Sequence, residues 1–144
     1  MSLLIRYKNA KSIKKSNNLV LFTNENFSIS SLKKYISKSE YDFIYDLTKA
    51  KDTKKSIIEF DITSKKKIIL LSLKSNFKVS DFENLGAKFY DTIKDDKRTE
   101  YYLNTNTISI KLKKQIGDFL HGIKLKSYSF TKYKTKKTKK NIII

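Results

Sequence analysis

The amino-acid sequence predicts an α/β fold, a three-layer α/β/α sandwich built on a mixed sheet. Three observations lead there. Leu19-Val20-Leu21-Phe22 and Ile68-Ile69-Leu70-Leu71 are apolar at every position, as strands covered on both faces are. Segments with helical spacing of apolar residues alternate with such strands along the chain. Finally, Ile58, Phe60 and Ile62 alternate with Glu59 and Asp61 just before a polar turn and the second apolar run. That order reads as a hairpin and argues against a purely parallel sheet.

Taken in order, Leu3 to Tyr7 is short, apolar and β-prone, a first strand. Lys11 to Asn18 makes a polar turn before the interior strand at Leu19 to Phe22. Beyond Asn24-Glu25-Asn26 the period changes: Ile29, Leu32, Tyr35 and Ile36 fall at helical spacing behind Ser28, a capping hydroxyl. A second short helix is expected from Tyr41 to Ala50, with Ile44, Leu47 and Ala50 on one face. The half-exposed strand at 58–62 turns through Lys65-Lys66-Lys67 into a buried strand ending at Leu73. Ser80-Asp81-Phe82-Glu83 predicts the next helix start, with a cap hydroxyl and a carboxylate three residues later. Phe82, Leu85, Phe89 and Ile93 then form an apolar stripe, which ends at Asp95-Asp96-Lys97-Arg98.

Tyr101 to Leu112 has β character, with Ile108 and Ile110 alternating against Ser109 and Lys111. A last helix is expected from about Lys113 to Lys124, turning Ile116, Phe119, Leu120 and Ile123 inward. Gly117 and Gly122 each cost it roughly 1 kcal/mol relative to Ala, so close packing against a neighbour is expected of both. Residues 131–140 are mostly Lys and Thr without a hydrophobic period. Asn141-Ile142-Ile143-Ile144 fits a strand inside the sheet better than an exposed end.

Length and composition narrow the function classes. A chain of 144 residues that is 39% apolar suits one domain with one core. It has no cysteine and one histidine, which excludes disulfides, sulfur-bound metals and Cys-His nucleophiles. The longest apolar runs are far below the roughly 20 residues a membrane helix needs. Met1-Ser2-Leu3-Leu4-Ile5-Arg6 lacks the pattern of a secretory signal. The expectation is a soluble cytoplasmic protein with no membrane partner.

The net charge of +18 invites a nucleic-acid reading. Only Arg6 and Arg98 are arginines, however, and lysine lacks the bidentate fork that grips phosphate and guanine. Abundant Lys, Ile and Asn with little Arg, Gly and Ala also looks like the imprint of an AT-rich genome, which needs no partner. The charge is uneven: all acidic residues lie at or before Asp118. Lys132, Lys134, Lys136, Lys137, Lys139 and Lys140 crowd the end of the chain and are the candidate contacts for a polyanion. Tyr128, Phe130 and Tyr133 between them could stack bases or pack as an aromatic anchor on the domain.

Catalytic groupings do not assemble from these residues. His121 reads as a surface or boundary histidine. Asp95-Asp96 sits among Lys94, Lys97 and Arg98 as solvated charge, and Glu59 and Asp61 lie on the exposed side of a strand. Gly86, Gly117 and Gly122 cannot build a nucleotide-binding glycine loop. No general base stands in a recognisable pattern with a Ser or Thr. The chain is expected to hold no metal, cofactor or catalytic residue of its own.

The block from Gly122 to Lys137 resembles the end of the N-terminal domain in the leucyl (cytosol) aminopeptidase family. Gly122, Leu125, Tyr128, Phe130, Tyr133, Lys134, Thr135 and Lys136 fit the family's helix-ending glycine, leucine, Tyr-x-Phe pair and Tyr-Lys-Thr-Lys-like run. The strand at 68–73 and the helix carrying Leu85-Gly86-Ala87 fall in the expected order. The family's Gly-x-Gly-like turn after its central strand is replaced here by Leu71-Ser72-Leu73-Lys74-Ser75. The resemblance implies a macro-domain-like domain at 1–130, and a basic connecting segment with a last strand at 131–144 leading to an absent catalytic domain. It implies a homohexameric parent that removes N-terminal residues from peptides with two divalent metals, zinc or manganese. The family's Asn-Thr-Asp-Ala-Glu-Gly-Arg motif is absent, so no catalytic residue transfers. The alternative reading is a small basic nucleic-acid-binding module, and a nucleotide-recognising macro-like module is a third.

Overall fold

The computed structural model describes residues 3–6, 18–24, 27, 32–50, 56–63, 66–74, 76–96, 100–131 and 140–143. Their elements are strands β1 (Leu3–Arg6) and β2 (Asn18–Asn24), helix α1 (Lys38–Ala50), strands β3 (Ile57–Asp61) and β4 (Lys67–Leu73), helix α2 (Val79–Ile93) and strand β5 (Glu100–Leu103). A 3-10 turn (Thr105–Thr107), α3 (Ile110–Lys113), α4 (Ile116–Thr131) and β6 (Lys140–Ile143) follow. The strands form one six-stranded sheet in the order β1-β6-β5-β2-β4-β3. All neighbours are parallel except β3, which pairs antiparallel with β4 as the edge hairpin.

The sandwich follows from the alternation along the two apolar strands. Val20 and Phe22 of β2 and Ile69, Leu71 and Leu73 of β4 face one core, which α2 and α4 cover with Phe82, Phe89, Phe119 and Ile123. Leu21, Ile68 and Leu70 face the other core, closed by Ile44 of α1 with Phe27 and Leu32. Every residue of β4 is buried, which explains its continuous apolar run. Phe89 is the hub of the first core, edge-on to Tyr101 at 6.2 Å and tilted against Phe119 at 5.7 Å. The isoleucine-rich last strand lies between β1 and β5, inside the sheet.

Several expectations are corrected. Strand character ends at Leu103: the chain then makes the 3-10 turn and short α3, so Ile108 enters the first core from the bend between them and Leu112 from α3. Leu32 is in 3-10 conformation and Lys33 to Ile36 follow as turns and a bend, while Ser28 to Ser31 lie outside the described residues. The helix α1 starts at Lys38, ahead of Tyr41, because Ser37 and Glu40 form a capping box. The Ser37 N–H donates to Glu40 Oε1 at 3.1 Å, and the Glu40 N–H to Ser37 Oγ at 3.2 Å. The helix α2 also begins early, after Lys78, whose N–H donates to Asp81 Oδ2 at 2.8 Å; Ser80 is not its cap. The helix α4 runs to Thr131, past Lys124. Its two glycines differ: a Cβ at Gly122 would overlap the Glu83 carbonyl, whereas one at Gly117 would meet open space. Close packing holds for the first alone.

Candidate functional site

Three places in this frame gather polar or exposed groups. The first is at the N-terminal ends of the central strands. Asn18 opens β2 and ties its neighbours together, its Nδ2 donating to the Glu100 carbonyl at 2.8 Å and its Oδ1 accepting from the Lys67 N–H at 3.2 Å. Lys67 was expected in a polar turn, yet it is the first residue of β4 and its side chain is 9% exposed. The antiparallel register sets Asp61 opposite Lys67, and the period of two puts Glu59 on the same face. The Lys67 ammonium reaches Glu59 Oε1 at 2.5 Å and Asp96 Oδ2 at 2.9 Å, with Asp61 Oδ1 at 3.9 Å. Glu59 and Asp96, read from sequence as solvated charges, therefore clamp the edge hairpin to the segment after α2. Burial presses the Lys67 pKa down, but the hydrogen bonds and charges of Glu59 and Asp96 outweigh it and hold the ammonium above its ordinary value.

A similar tie holds α1. Lys66 meets Glu40 Oε2 at 2.6 Å. Burial raises the Glu40 pKa, and Lys66 together with the Ser37 hydrogen bonds more than reverses this, leaving it lowered. Among the described residues no group of three His, Cys, Asp or Glu side chains is placed to hold a metal ion. The carboxylates around Lys67 have their cation in the lysine itself.

The second place is the mouth at the C-terminal ends of the parallel strands, where open α/β sheets take ligands. Here Thr107 Oγ1 accepts from the Phe22 N–H at 2.9 Å and donates to the Asn104 carbonyl at 2.6 Å. Thr23 Oγ1 donates to the Leu71 carbonyl at 3.4 Å and the Asn24 carbonyl at 3.2 Å, and Ser72 Oγ to the Asn24 carbonyl at 3.3 Å. Among the described residues these hydroxyls bond only main-chain groups. They fasten strand ends. Phe27, just beyond, is buried with φ 53°, a left-handed backbone uncommon for a bulky residue.

The third place is α4. Phe119, Leu120, Ile123 and Ser127 turn inward. Gly122 lies on the Glu83 main chain, and Gly86 of α2 lies in turn on the Phe119 carbonyl. His121 is exposed with Nδ1 3.3 Å from Glu83 Oε1, a surface pair joining the two helices. On the outer side, Leu125 is 50% exposed and Tyr128 73% exposed. Of the other sequence-selected residues, Phe130 lies within α4 and Lys140 begins β6. Lys132, Tyr133, Lys134, Thr135, Lys136, Lys137 and Lys139 fall outside the described residues.

No family model and no curated protein matches the chain. Solved structures do. A tomato leucine aminopeptidase mutant matches with a TM-score of 0.69 and 16% identity over 99% of this chain, and the match spans only 32% of that enzyme. The macrodomain of Thermus aquaticus DarG matches with a TM-score of 0.60 and 7% identity, over 99% of this chain and 98% of that one. At these identities the likeness establishes the fold: a macro-domain-like α/β/α sandwich, shared with one part of a leucine aminopeptidase. No helix among the described residues is long and apolar enough to cross a membrane.

Proposed function

We propose that the chain is a non-catalytic, architectural domain of the kind found at the N-terminus of cytoplasmic leucyl aminopeptidase-like metallopeptidases. The observation that carries this reading is the match of nearly the whole chain to about a third of tomato leucine aminopeptidase, with a higher TM-score than the match to the DarG macrodomain. The family-like block at Gly122, Leu125 and Tyr128 supports it. In that block Gly122 has a physical task, since only glycine lets α4 lie on the Glu83 main chain.

On this reading the removal of N-terminal residues from peptides, with two zinc or manganese ions, belongs to a separate catalytic domain of the parent. This domain contributes rigid surface to a hexameric assembly. Its rigidity would have local causes: central strands β2 and β4 buried on both faces, two helices interlocked at glycines, and strand ends fastened by Asn18 and Thr107. The direct test assays the purified chain against a leucine amide with Mn²⁺ or Zn²⁺. No turnover is expected, and metal-dependent turnover would overturn the reading.

A further inference from the structure

The two ends of the chain share one side of the sheet and one sign of charge. Residues 1–24 hold five Lys or Arg and no carboxylate, and residues 119–144 hold eight lysines and no carboxylate. Strand β1 comes from the first stretch and β6 from the second, and they pair in parallel with β1 at the sheet edge. Arg6 closes β1 at one end, and Lys140 stands in register with Leu3 at the other. An edge strand turns every second N–H and C=O away from its neighbour. Among the described residues no strand takes those groups from β1. The opposite edge strand, β3, carries Glu59 and Asp61, charges of the kind that blunt a sheet edge. The run Leu3-Leu4-Ile5 has no such guard.

We infer that the outer edge of β1 takes an extended acidic segment of a partner protein as an additional strand, with carboxylates at its two ends set toward Arg6 and Lys140. Strand addition draws its affinity from the main-chain ladder and its selectivity from the side chains along it. Charge decides the occupant. A second copy would lay one carboxylate-free edge against another on a protein of net charge +18. A nucleic acid would neutralise the cations, but it has no row of amide donors and acceptors to complete the ladder. An uncharged strand would complete the ladder and leave the positive charge unanswered. The inference rests on the sheet topology and stands apart from the aminopeptidase reading.

The test adds labelled peptides to the full chain and reads fluorescence anisotropy and amide hydrogen exchange. The first peptide has ten residues, alternating Val and Thr between paired glutamates. The second is the same peptide N-methylated at each Val and Thr, and the third has lysines in place of the glutamates. The first should bind about tenfold more tightly than either control, and raised salt should weaken it. It should also slow exchange at alternate amides of Leu3–Arg6. Leu4→Pro and Ile5→Pro strike neighbouring amides, one turned outward and one turned toward β6. One variant should therefore lose the peptide and keep its melting temperature, and the other should melt lower. Equal affinity for the N-methylated peptide, no added protection in β1, or parental affinity in both proline variants would overturn the inference. So would β1 protection that rises with protein concentration in the absence of peptide, which would assign the edge to a second copy. A 15-nucleotide oligothymidylate that displaces the first peptide and protects β1 in its place would overturn it as well.

Discussion

Gly86 of α2 and Gly122 of α4 form a reciprocal contact. Each occupies the point where the other helix brings a main-chain carbonyl, that of Phe119 over Gly86 and that of Glu83 over Gly122. A methyl group at either position would overlap backbone, which cannot swing aside as a flexible side chain can. Gly86→Ala and Gly122→Ala should each cost about 1–3 kcal/mol as overpacking. On a domain of this size that lowers Tm by several degrees. Gly117→Ala is the control: open space around it predicts neutrality or a gain of up to about 1 kcal/mol. Thermal melts of the three variants check the contrast, and equal losses would refute it.

The Lys67 centre predicts an asymmetry between adjacent lysines. Lys67→Met leaves Asp96, 11% exposed, without its ammonium, and should destabilise by about 2 kcal/mol, below the range for fully buried pairs because Glu59 is partly in water. Lys66→Met, which loosens Glu40 from the hairpin turn, should cost about half as much or less. Urea titration of both variants measures the order, and a Lys66 variant weaker than the Lys67 variant would contradict it.

Glu40 sets an acid limb. Its folded pKa is lowered, so its contribution is present above the ordinary carboxylate pKa and is lost as pH falls through the folded value. Glu40→Gln should remove that limb and cost up to about 1 kcal/mol at neutral pH through the lost ion pair with Lys66, since a glutamine keeps the capping box. Stability measured from pH 7 to pH 3 in both proteins should converge toward the acid end.

Tyr90 sets an alkaline limb. Burial, with Asp91 and Asp95 nearby, pushes its pKa up to about 12. The folded state thus keeps the proton that the unfolded state releases near pH 10, and stability falls as pH rises from 10 toward 12. Lys67, also raised, adds to the same loss as pH passes its folded value. Tyr90→Phe should flatten most of this decline in melting experiments between pH 9 and pH 12.

Much of the fold was legible because burial leaves a period in the sequence. The unbroken apolar runs at Leu19 to Phe22 and Ile68 to Leu73 announced strands covered on both faces, and Glu59 and Asp61 announced the edge hairpin. What stayed hidden depended on tertiary partners. Ile108 and Ile110 alternate like a strand, yet after β5 the chain turns over the sheet end and Thr107 ties to Phe22. The Lys67 centre needs the β3–β4 register and the end of α2 together, and neither is a local property. The α1 start was available in Ser37-x-x-Glu40, a capping box that apolar spacing alone passes over. Of the selected site residues, Gly122 acquired a packing role and Leu125 and Tyr128 an exposed face. The lysine run at 132–139 lies outside the described residues.

The accessory-domain reading is tested most directly on the native protein. An antibody raised against this chain should precipitate, from extracts of the source cells, a polypeptide well above 16.9 kDa, together with metal-dependent leucine aminopeptidase activity. Recovery of the 16.9 kDa polypeptide by itself, with no peptidase activity in the precipitate, would contradict it.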